Sequence, residues 1–404
     1  MKYKALTENA LKAVVIGAAG LAPVARAQDI LKQSPVMTAL SATTISGYVD
    51  TSAVWNPGTG NANSPAYAFG GGPPNATKSD GFNLDVVKVV IAKDPELATW
   101  FSAGYKVDLL FGPDAAAYGT QPFGTPANGA AVKQAYIDLR VPFYNGLEFK
   151  VGVWDTILGY EVFETPLNPN FTKSYGYTIE PATFTGVQGT YNFNEYLAVT
   201  AGVADTLGSS INARAFPPQG PRAESYKAYL GDVSLTAPGN WKWLSGSTLF
   251  GAVVTGYNPI SPTGGPANQT SFYVGSIINT PLKALTFGGA FDYAGLTKQP
   301  AGLGSYANAV SFYAHYQPMD KLQFNTRAEW FSQSPSIAAP GLPSKIAALT
   351  ETVQYNIWDN VITRAEFRWD HQADGLPYGF GGTTAGVGTR RNSVAVIANV
   401  IYKF

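Results

Sequence analysis

The sequence predicts an all-β fold, a transmembrane antiparallel up-and-down β-barrel of about 16 strands with short periplasmic turns and long outer loops. Three observations predict it. Apolar and polar residues alternate in many segments of strand length, and long and short connections alternate between them. Charged residues make up only 13% of the chain and aromatic residues another 13%, whereas about a quarter of an ordinary soluble protein is charged.

The N-terminus predicts export. The basic start "MKYKALTENALK" precedes the apolar run "AVVIGAAGLAPVA" and the small-residue site "ARA" at Ala25–Ala27, the layout of a secretory signal peptide that is removed at residues 1–27. A transmembrane anchor is the alternative, but the run is shorter than the about 20 residues a helical span needs. We expect residues 28–42 to be a periplasmic lead-in, residues 43–404 to form a single barrel domain, and the protein to lie in the bacterial outer membrane.

The alternating segments indicate a lipid face and a wet lumen. In the C-terminal "NSVAVIANVIYKF" one parity is wholly apolar and ends in Tyr402 and Phe404, while the other is mixed. "VITRAEFRWD" and "LQFNTRAEW" show the same pattern, with full charges on the polar face. A closed soluble barrel would point its apolar face inward, around a dry core. Here the polar faces carry too many full charges to be buried at low cost. The polar faces therefore predict a water-filled interior.

Sixteen segments follow this pattern, with boundaries good to a few residues. Two are irregular, because Lys88 shares parity with Leu84 and Val86, and Glu351 with Leu349 and Val353, so bulges are a candidate explanation at both places. The predicted strands are 43–55, 81–93, 98–110, 132–142, 146–155, 182–193, 196–205, 225–237, 246–257, 270–280, 284–294, 306–317, 320–332, 345–356, 360–370 and 392–404.

The connections indicate the orientation. Those after odd strands are mostly long and rich in Gly, Pro, Asn and Ser, such as "HQADGLPYGFGGTTAGVGTR", and those after even strands are mostly short, such as "FYN", "NE" and "WDN". Short turns face the periplasm in outer-membrane barrels, and aromatic girdles mark the two interfaces. The aromatic residues expected near the short turns are Phe143, Tyr144, Tyr196, Trp241, Trp243, Trp358, Tyr402 and Phe404; those expected at the outer ends are Trp55, Tyr257, Tyr293 and Trp330.

About sixteen strands leave an aqueous channel, whereas about eight would be filled by side chains. The expected function is therefore conduction, with the lumen wall lined by charged side chains of the polar parities. The bland alternative is that each of these charges is an ordinary solvated group paired with a neighbour. The predicted pore-lining residues are Asp138, Arg140, Glu148, Lys150, Arg327, Glu329, Arg364, Glu366 and Arg368.

The connection after the fifth strand, residues 155–181, is the predicted constriction. It is long but not Gly-rich, and its aliphatic and aromatic content is too high for a free surface loop. Packing over the rim or against a neighbouring subunit is the alternative. If the loop folds inward, Asp155, Glu161 and Glu164 would face wall cations across the lumen and set a transverse field. The candidate residues of this loop are Asp155, Tyr160, Glu161, Glu164 and Lys173, and the facing cations are Arg140, Lys150, Arg327, Arg364 and Arg368.

Residues 45–205 carry a family resemblance. "SGYVDTSAVWN", "GFNLDVVKVVIAKDPELATWFSAGYKVDLLFGPD" and the stretch around "LGYEVFETPLNPNFTKSYGY" resemble the OmpL-like β-barrel porin family of Gram-negative outer membranes. The resemblance covers most of the mature chain, and the "GYE" of Gly159–Glu161 with the following "SYGY" is its most recognisable piece. It implies an outer-membrane porin, a channel for passive diffusion of ions and small polar solutes. It leaves open whether the channel selects a substrate.

Other functions have weaker support. An enzyme would use one of the two histidines, His315 or His371, but neither stands in a catalytic motif, so we predict no enzyme and no catalytic, cofactor or metal site. The chain has no cysteine, and its 27 basic and 27 acidic residues give no basic surface for nucleic acid. An adhesin is the third class, but the outer loops lack charge clusters. The expected partners are outer-membrane lipid, small hydrophilic solutes, a homotrimer and the barrel assembly machinery, with Phe404 as the assembly signal.

Overall fold

Sixteen antiparallel strands close into one barrel. The computed structural model describes residues 36–37, 42–60, 65, 78, 80–96, 101–118, 120, 129–215, 225–259, 267–297, 305–334, 343–374, 380–381 and 388–404. The predicted signal peptide lies outside the described residues, as does most of the predicted lead-in and of the Gly-rich outer loops. No helix within the described part of the chain is long and apolar enough to cross a membrane.

The strands agree with the predicted segments to within about four residues, the accuracy that sequence patterns allow for boundaries. They are β1 Thr44–Trp55, β2 Gly81–Lys93, β3 Ser102–Phe111, β4 Ala130–Val141, β5 Leu147–Asp155, β6 Thr183–Asn192, β7 Leu197–Ala204, β8 Ala228–Thr236, β9 Thr248–Asn258, β10 Ala267–Asn279, β11 Leu285–Thr297, β12 Ser305–Met319, β13 Leu322–Gln333, β14 Lys345–Trp358, β15 Val361–Gln372 and β16 Asn392–Lys403. A further two-residue strand, Val36–Met37, pairs with the start of β1.

The described helices are short. Helix α1 is Pro113–Tyr118, in the connection after β3, and helix α2 is Tyr175–Ile179, in the connection after β5. One 3-10 helix, Thr165–Leu167, precedes α2 in the same connection, and another, Lys242–Leu244, lies in the turn after β8. Ser174 caps α2, because its side chain accepts a hydrogen bond from the backbone N–H of Tyr177 at 3.1 Å.

Each strand pairs with its sequence neighbours, and β16 pairs with β1 to close the barrel. Closure satisfies every strand edge, which a barrel in lipid requires. The predicted faces are confirmed on β16, where Val396, Val400 and Tyr402 are exposed on the outside while Ile397 and Asn399 are buried inside.

The aromatic residues near the short turns are exposed as the girdle pattern predicts, with Phe143, Trp358 and Phe404 among them. At the long-loop end Trp55 and Trp330 are exposed. Tyr257 is an exception. It is buried at the end of β9 and contacts Tyr226, so it does not belong to the outer girdle.

The two irregular segments differ in kind. In β2 the register shifts between Asp50 and Thr51 of β1, and Asp85 is the extra residue. This bulge turns Val86 and Lys88 inward although Leu84, of the same parity, stays exposed outside. The register around Glu351 is continuous with both neighbours, and β14 becomes irregular only at its end, between Asn356 and Trp358. The carboxyl group of Glu351 therefore lies on the outer face of the barrel.

Candidate functional site: the loop inside the barrel

The connection between β5 and β6, residues 156–182, lies inside the barrel. Its apolar side chains are almost fully buried, including Ile157, Leu158, Phe163 and Phe171, each of which is at most 6% exposed. Its polar groups contact lumen-facing side chains of β2, β4 and β11 to β15. The loop therefore packs against the lumen wall at several places around the barrel. We refer to residues 156–182 as the inner loop.

Arg327 is the centre of the contact between the inner loop and β13. Its Nη1 donates to Oε1 of Glu161 at 2.7 Å and to the carbonyl oxygen of Thr172 at 2.6 Å. Its Nε donates to Oε2 of Glu329 at 2.7 Å, and its Nη2 donates to the carbonyl oxygen of Lys173 at 3.2 Å. The side chain has no exposed surface. A planar guanidinium with several fixed donors suits this task, because one side chain holds two carboxylates and two loop carbonyls together.

Two arginines of β15 repeat the arrangement. Arg364 donates to the carbonyl oxygens of Thr165 at 3.0 Å and Asn168 at 2.7 Å. Arg368 donates to the carbonyl oxygen of Lys173 at 2.7 Å. The carbonyls belong to loop backbone that forms no sheet, so the wall arginines supply the hydrogen-bond partners that this backbone needs when it is buried.

Wall carboxylates bind the loop's N–H groups in the same way. Glu366 accepts hydrogen bonds from the backbone N–H groups of Phe171 at 2.6 Å and Thr172 at 2.9 Å. Glu329 accepts one from the backbone N–H of Tyr175 at 2.6 Å. With the arginines, these side chains bind both kinds of backbone polar group over residues 165–175. The lumen wall of β13 and β15 thus holds the loop by its main chain.

Lysines of the opposite wall hold Glu164. Its carboxylate contacts Nζ of Lys88 on β2 and lies 3.1 Å from Nζ of Lys133 on β4. Lys133 also pairs with Asp155, at the end of β5. Burial raises the pKa of the Glu164 carboxyl, but Lys133 and Lys88 outweigh burial and hold that pKa well below its ordinary value. Glu164 is therefore ionised, and it ties the loop to β2 and β4.

The first part of the inner loop fills an apolar sector of the lumen. Ile157 and Leu158 join a buried cluster with wall residues of β8 to β10. Tyr160 stacks on Tyr313 of β12 with ring centroids 3.9 Å apart, and its hydroxyl lies 3.0 Å from Nε2 of His315. Apolar side chains therefore fill this sector of the lumen. The cluster residues on the walls of β8 to β11 are Ala228, Leu230, Phe250, Ala252, Val254, Tyr273, Ile277 and Ala290.

Lys173 is buried within the loop. Its Nζ donates to the carbonyl oxygens of Val162 at 2.8 Å and Phe163 at 3.0 Å. Burial lowers the pKa of Lys173 to about 8, with Glu161 and Glu164 acting in the opposite direction. Lys173 therefore links the two arms of the loop to each other.

Four of the predicted pore-lining residues lie elsewhere, on the lumen faces of β4 and β5 toward the short-turn end. Arg140 pairs with Glu148, and both side chains are 14% exposed. Nζ of Lys150 lies 5.0 Å from the ring centroid of Tyr136, and Asp138 is its register partner across the strands. None of the hydrogen bonds of the inner loop described above involves these four residues.

The transverse field expected from the sequence differs from the charge arrangement of the structure. Glu161 does not face Arg327 across an open gap; the two groups are in contact and both side chains are fully buried. Glu164 points to the other wall, where its partners are Lys88 and Lys133. A loop with its own carboxylates lowers its free energy by pairing each with the nearest wall cation, because unpaired buried charges are costly.

Sequence analysis missed Lys88 and Lys133 as site residues. Both sit beside bulges: Asp85 is the extra residue of β2, and Lys133 is the extra residue opposite Asp108 and Leu109. The bulge in β4 turns Lys133 and Gln134 into the lumen together, since both are buried. The adjacent polar pair within an alternating segment was the available signal for it.

Phe404 lies at the seam where the barrel closes. Its backbone exchanges two hydrogen bonds with Gly47 of β1, at 2.9 and 3.0 Å. A Cβ atom at Gly47 would stand 2.7 Å from Cζ of the Phe404 ring and 2.1 Å from the carbonyl oxygen of Lys88. The glycine is therefore what allows the terminal aromatic ring to lie across the first strand.

Comparison with known proteins agrees with this architecture. Residues 42–404 match the family described as "Putative beta-barrel porin-2, OmpL-like". The chain belongs to this porin family. As a family of outer-membrane porins it indicates a channel rather than an enzyme. No curated protein matches the porin by sequence.

Solved structures of outer-membrane channels share its fold. The porin aligns with an anion-selective porin from Comamonas acidovorans at a TM-score of 0.60 and 12% identity, over 90% of this chain and 99% of that one. It aligns with the outer membrane channel DcaP of Acinetobacter baumannii at 0.59 and 9% identity, over 92% and 100%. The trimer form of OmpT of Vibrio cholerae, folded in vitro, gives 0.55 and 13% identity, over 90% and 99%. At these identities the likeness is one of fold.

Proposed function

We propose that this porin is a channel for passive diffusion of ions and small polar solutes, and that the inner loop sets its narrowest point. The observation that carries the proposal is a loop bound to opposite walls inside a closed sixteen-stranded barrel. About sixteen strands enclose an aqueous channel unless something fills it. A segment that occupies part of the cross-section narrows the channel. Buried ion pairs hold this segment in place, so that its motion does not close the channel.

We propose further that solutes pass along the wall of β4 and β5. The charged side chains there are partly exposed, in contrast to the fully buried groups that bind the loop. Asp138, Arg140, Glu148 and Lys150 place both signs of charge along this wall. Mixed charges of this kind stabilise hydrated ions and dipolar solutes without requiring one particular solute.

Conductance in planar bilayers tests both proposals. Deletion of residues 160–170 should raise single-channel conductance, because it removes the middle of the loop. The matched control is an equally long deletion in the connection between β1 and β2, residues 66–76, which should change conductance less. If the deletion of 160–170 yields a heat-modifiable, folded barrel with unchanged conductance, the inner loop is not the constriction. A folded protein that does not conduct at all would contradict the channel itself.

Export and assembly remain proposals drawn from the sequence. We propose that residues 1–27 are a cleaved signal peptide, so that the mature protein begins at Gln28. The mass of the protein purified from outer membranes tests this directly. A mature chain that retains residues 1–27 would contradict it. We also propose that Phe404 is read by the barrel assembly machinery, since it ends the last strand at the closing seam.

We propose that the porin forms a homotrimer through the outer face of β13 to β16 and β1. Among the described outward-facing residues in the middle of strands, Glu351 is the charged one, and its Oε2 accepts a hydrogen bond from the Thr326 hydroxyl at 2.7 Å. A charge near the middle of a lipid face destabilises a barrel. Small side chains lie beside it, because Ala365, Ala398 and Ala53 are register partners across β15, β16 and β1. A second copy would cover Glu351 and pack closely on the alanines.

Cysteine cross-linking tests this contact, and the absence of native cysteine makes the background clean. Under oxidation or with a short bismaleimide, Ala398→Cys should give dimers of the porin chain. Val274→Cys is the matched control on the outer face of β10, where the side chain is 51% exposed, and it should remain monomeric in the same gel. Equal cross-linking at both positions would show random collision and contradict the assigned face.

A further inference from the structure

Two carboxyl groups meet where the inner loop returns to the wall. Glu180 follows helix α2, and Asp292 lies on the lumen face of β11, 3% exposed. The two carboxyl groups lie within hydrogen-bonding reach of each other. Oε2 of Glu180 and Oδ1 of Asp292 are buried, and no other described residue provides a hydrogen-bond partner for them. Two carboxylates cannot hydrogen-bond to each other unless one carries a proton.

Loop backbone packs directly on both carboxyl groups. A Cβ atom at Gly176 would lie 2.1 Å from Oδ2 of Asp292, and one at Gly159 would lie 2.3 Å from Oε2 of Glu180. Gly159 belongs to the first arm of the loop and Gly176 to the second. The carboxyl pair therefore joins both arms of the loop to β11, and only glycines leave room for that approach.

The groups that face the pair are acids and phenols. The negative charge of Glu161 interacts unfavourably with both ionised carboxyl groups, and that of Glu329 on β13 does so with Asp292. Both of those glutamates are already paired with Arg327. The charges of both carboxyl groups act on Tyr273 of β10, whose buried hydroxyl has no hydrogen-bond partner within the described part of the chain. Tyr160 faces Tyr273, and Tyr177 faces Glu180.

We propose that Glu180 and Asp292 share one proton, and that this proton latches the second arm of the inner loop to the wall of the channel. The effect of this latch on conduction rests on the proposed function, because the inner loop is the proposed constriction. A proton is the ligand that fits, since it needs only the two facing oxygens and neutralises one of two adjacent charges. Loss of the proton places two carboxylates side by side, and none of the described groups that act on them is a cation.

The sign of the pH effect follows from linkage. Burial, and next the Asp292 charge, raise the pKa of the Glu180 carboxyl well above its ordinary value. The latched loop therefore binds more protons than the released loop. Latching is strongest below the ordinary carboxyl pKa of about 4.3 and weakens as pH rises toward the raised value. Its equilibrium constant should fall by up to about tenfold per pH unit in that interval.

Hydrogen exchange of the peptide 175–182 measures the latch without requiring conduction. The purified barrel is followed between pH 5 and 7, with correction for the intrinsic pH dependence of exchange. This range lies below the pKa of Lys173, which is about 8. We expect wild-type protection to fall with pH, and Glu180→Gln and Asp292→Asn to abolish that fall, because an amide supplies the hydrogen without titrating. Glu148→Gln is the matched control and should retain the wild-type slope.

Single-channel recording gives the functional readout. Open-channel noise of the wild type should rise over the same pH interval and should be flat for Glu180→Gln. Parallel slopes in wild type and both amide variants would overturn the proton latch. So would a midpoint that moves when K⁺ is replaced by a large organic cation, since that would show a metal ion at the pair. A normal exchange result with no conductance at all would contradict the channel proposal and leave the latch standing.

Discussion

Replacement of Arg327 by methionine is the sharpest test of how the inner loop is held. The side chain keeps a similar length and shape, but it loses every donor. Glu161 and Glu329 would then be buried without the guanidinium that touches both of them, and two loop carbonyls would lose a donor. Two cations remain nearby. Nη2 of Arg368 lies 3.9 Å from Oε2 of Glu329, and Lys173 is close enough to Glu161 for that carboxylate to offset part of the lowering of the Lys173 pKa by burial.

The expected magnitude follows from these contacts. Removing one partner of a buried ion pair costs about 3–5 kcal/mol, because the other charge stays buried. The groups concerned are fully buried on both sides, so solvent screening does not reduce this figure. At about 1.4 kcal/mol per factor of ten, the docked state of the loop should lose about a hundredfold to a few thousandfold in its equilibrium with an open state. The barrel strands, which pair independently of Arg327, should keep their stability.

Hydrogen exchange of residues 170–176 is the suitable assay, with β16 as an internal reference. The Arg327→Met barrel should show protection in this segment reduced by about that factor, and noisier channels in planar bilayers. Arg140→Met is the matched control, since it removes a guanidinium from a partly exposed pair with Glu148. Protection of residues 170–176 equal to the wild type in Arg327→Met would refute the conclusion that buried ion pairs hold the loop.

The remaining predictions concern the seam and two further loop anchors. Gly47→Val should lower the folded yield in outer membranes at least as much as deletion of Phe404, because a side chain at that position collides with the carbonyl oxygen of Lys88 as well as with the terminal ring; equal yield to wild type would contradict it. Lys173→Met should remove the gain in loop protection that the wild type shows as pH rises from about 8 to the ordinary lysine pKa of about 10.4, since the docked lysine binds protons less tightly. Tyr160→Phe should cost about 0.5–1.5 kcal/mol of loop docking by losing the bond to His315 but keeping the stacking, and a mutant indistinguishable from wild type in thermal unfolding and exchange would count against that bond.

Much of the fold was predictable from local sequence because the signal is carried by the backbone itself. Successive side chains of a strand point to opposite faces, so the alternation along β16 predicts that Val396 and Ala398 face lipid while Ile397 faces the lumen. The lengths of the connections add the orientation of the hairpins, and the apolar content of residues 156–182 indicates a loop that must pack on something. These features depend on residues that are close in sequence.

The partners of the loop were not predictable from the sequence. Glu161 and Arg327 stand 166 positions apart, and many lumen cations were equally plausible partners by parity alone. Two bulges, at Asp85 and Lys133, changed which side chains enter the lumen. A bulge depends on how a strand fits its neighbours, so the alternation within one strand does not specify it.

The sequence by itself determined a closed barrel with an apolar outside, because that pattern is repeated in most strands and needs no long-range information. Only the tertiary structure decided that the loop's charges are paired with the wall instead of opposed across a gap, and that an apolar cluster packs between the loop and the wall of β8 to β11. It also decided that Glu180 meets Asp292. The physical reason is that buried charges and buried backbone groups lower their free energy by finding specific partners, and closure of the barrel determines which partners lie within reach.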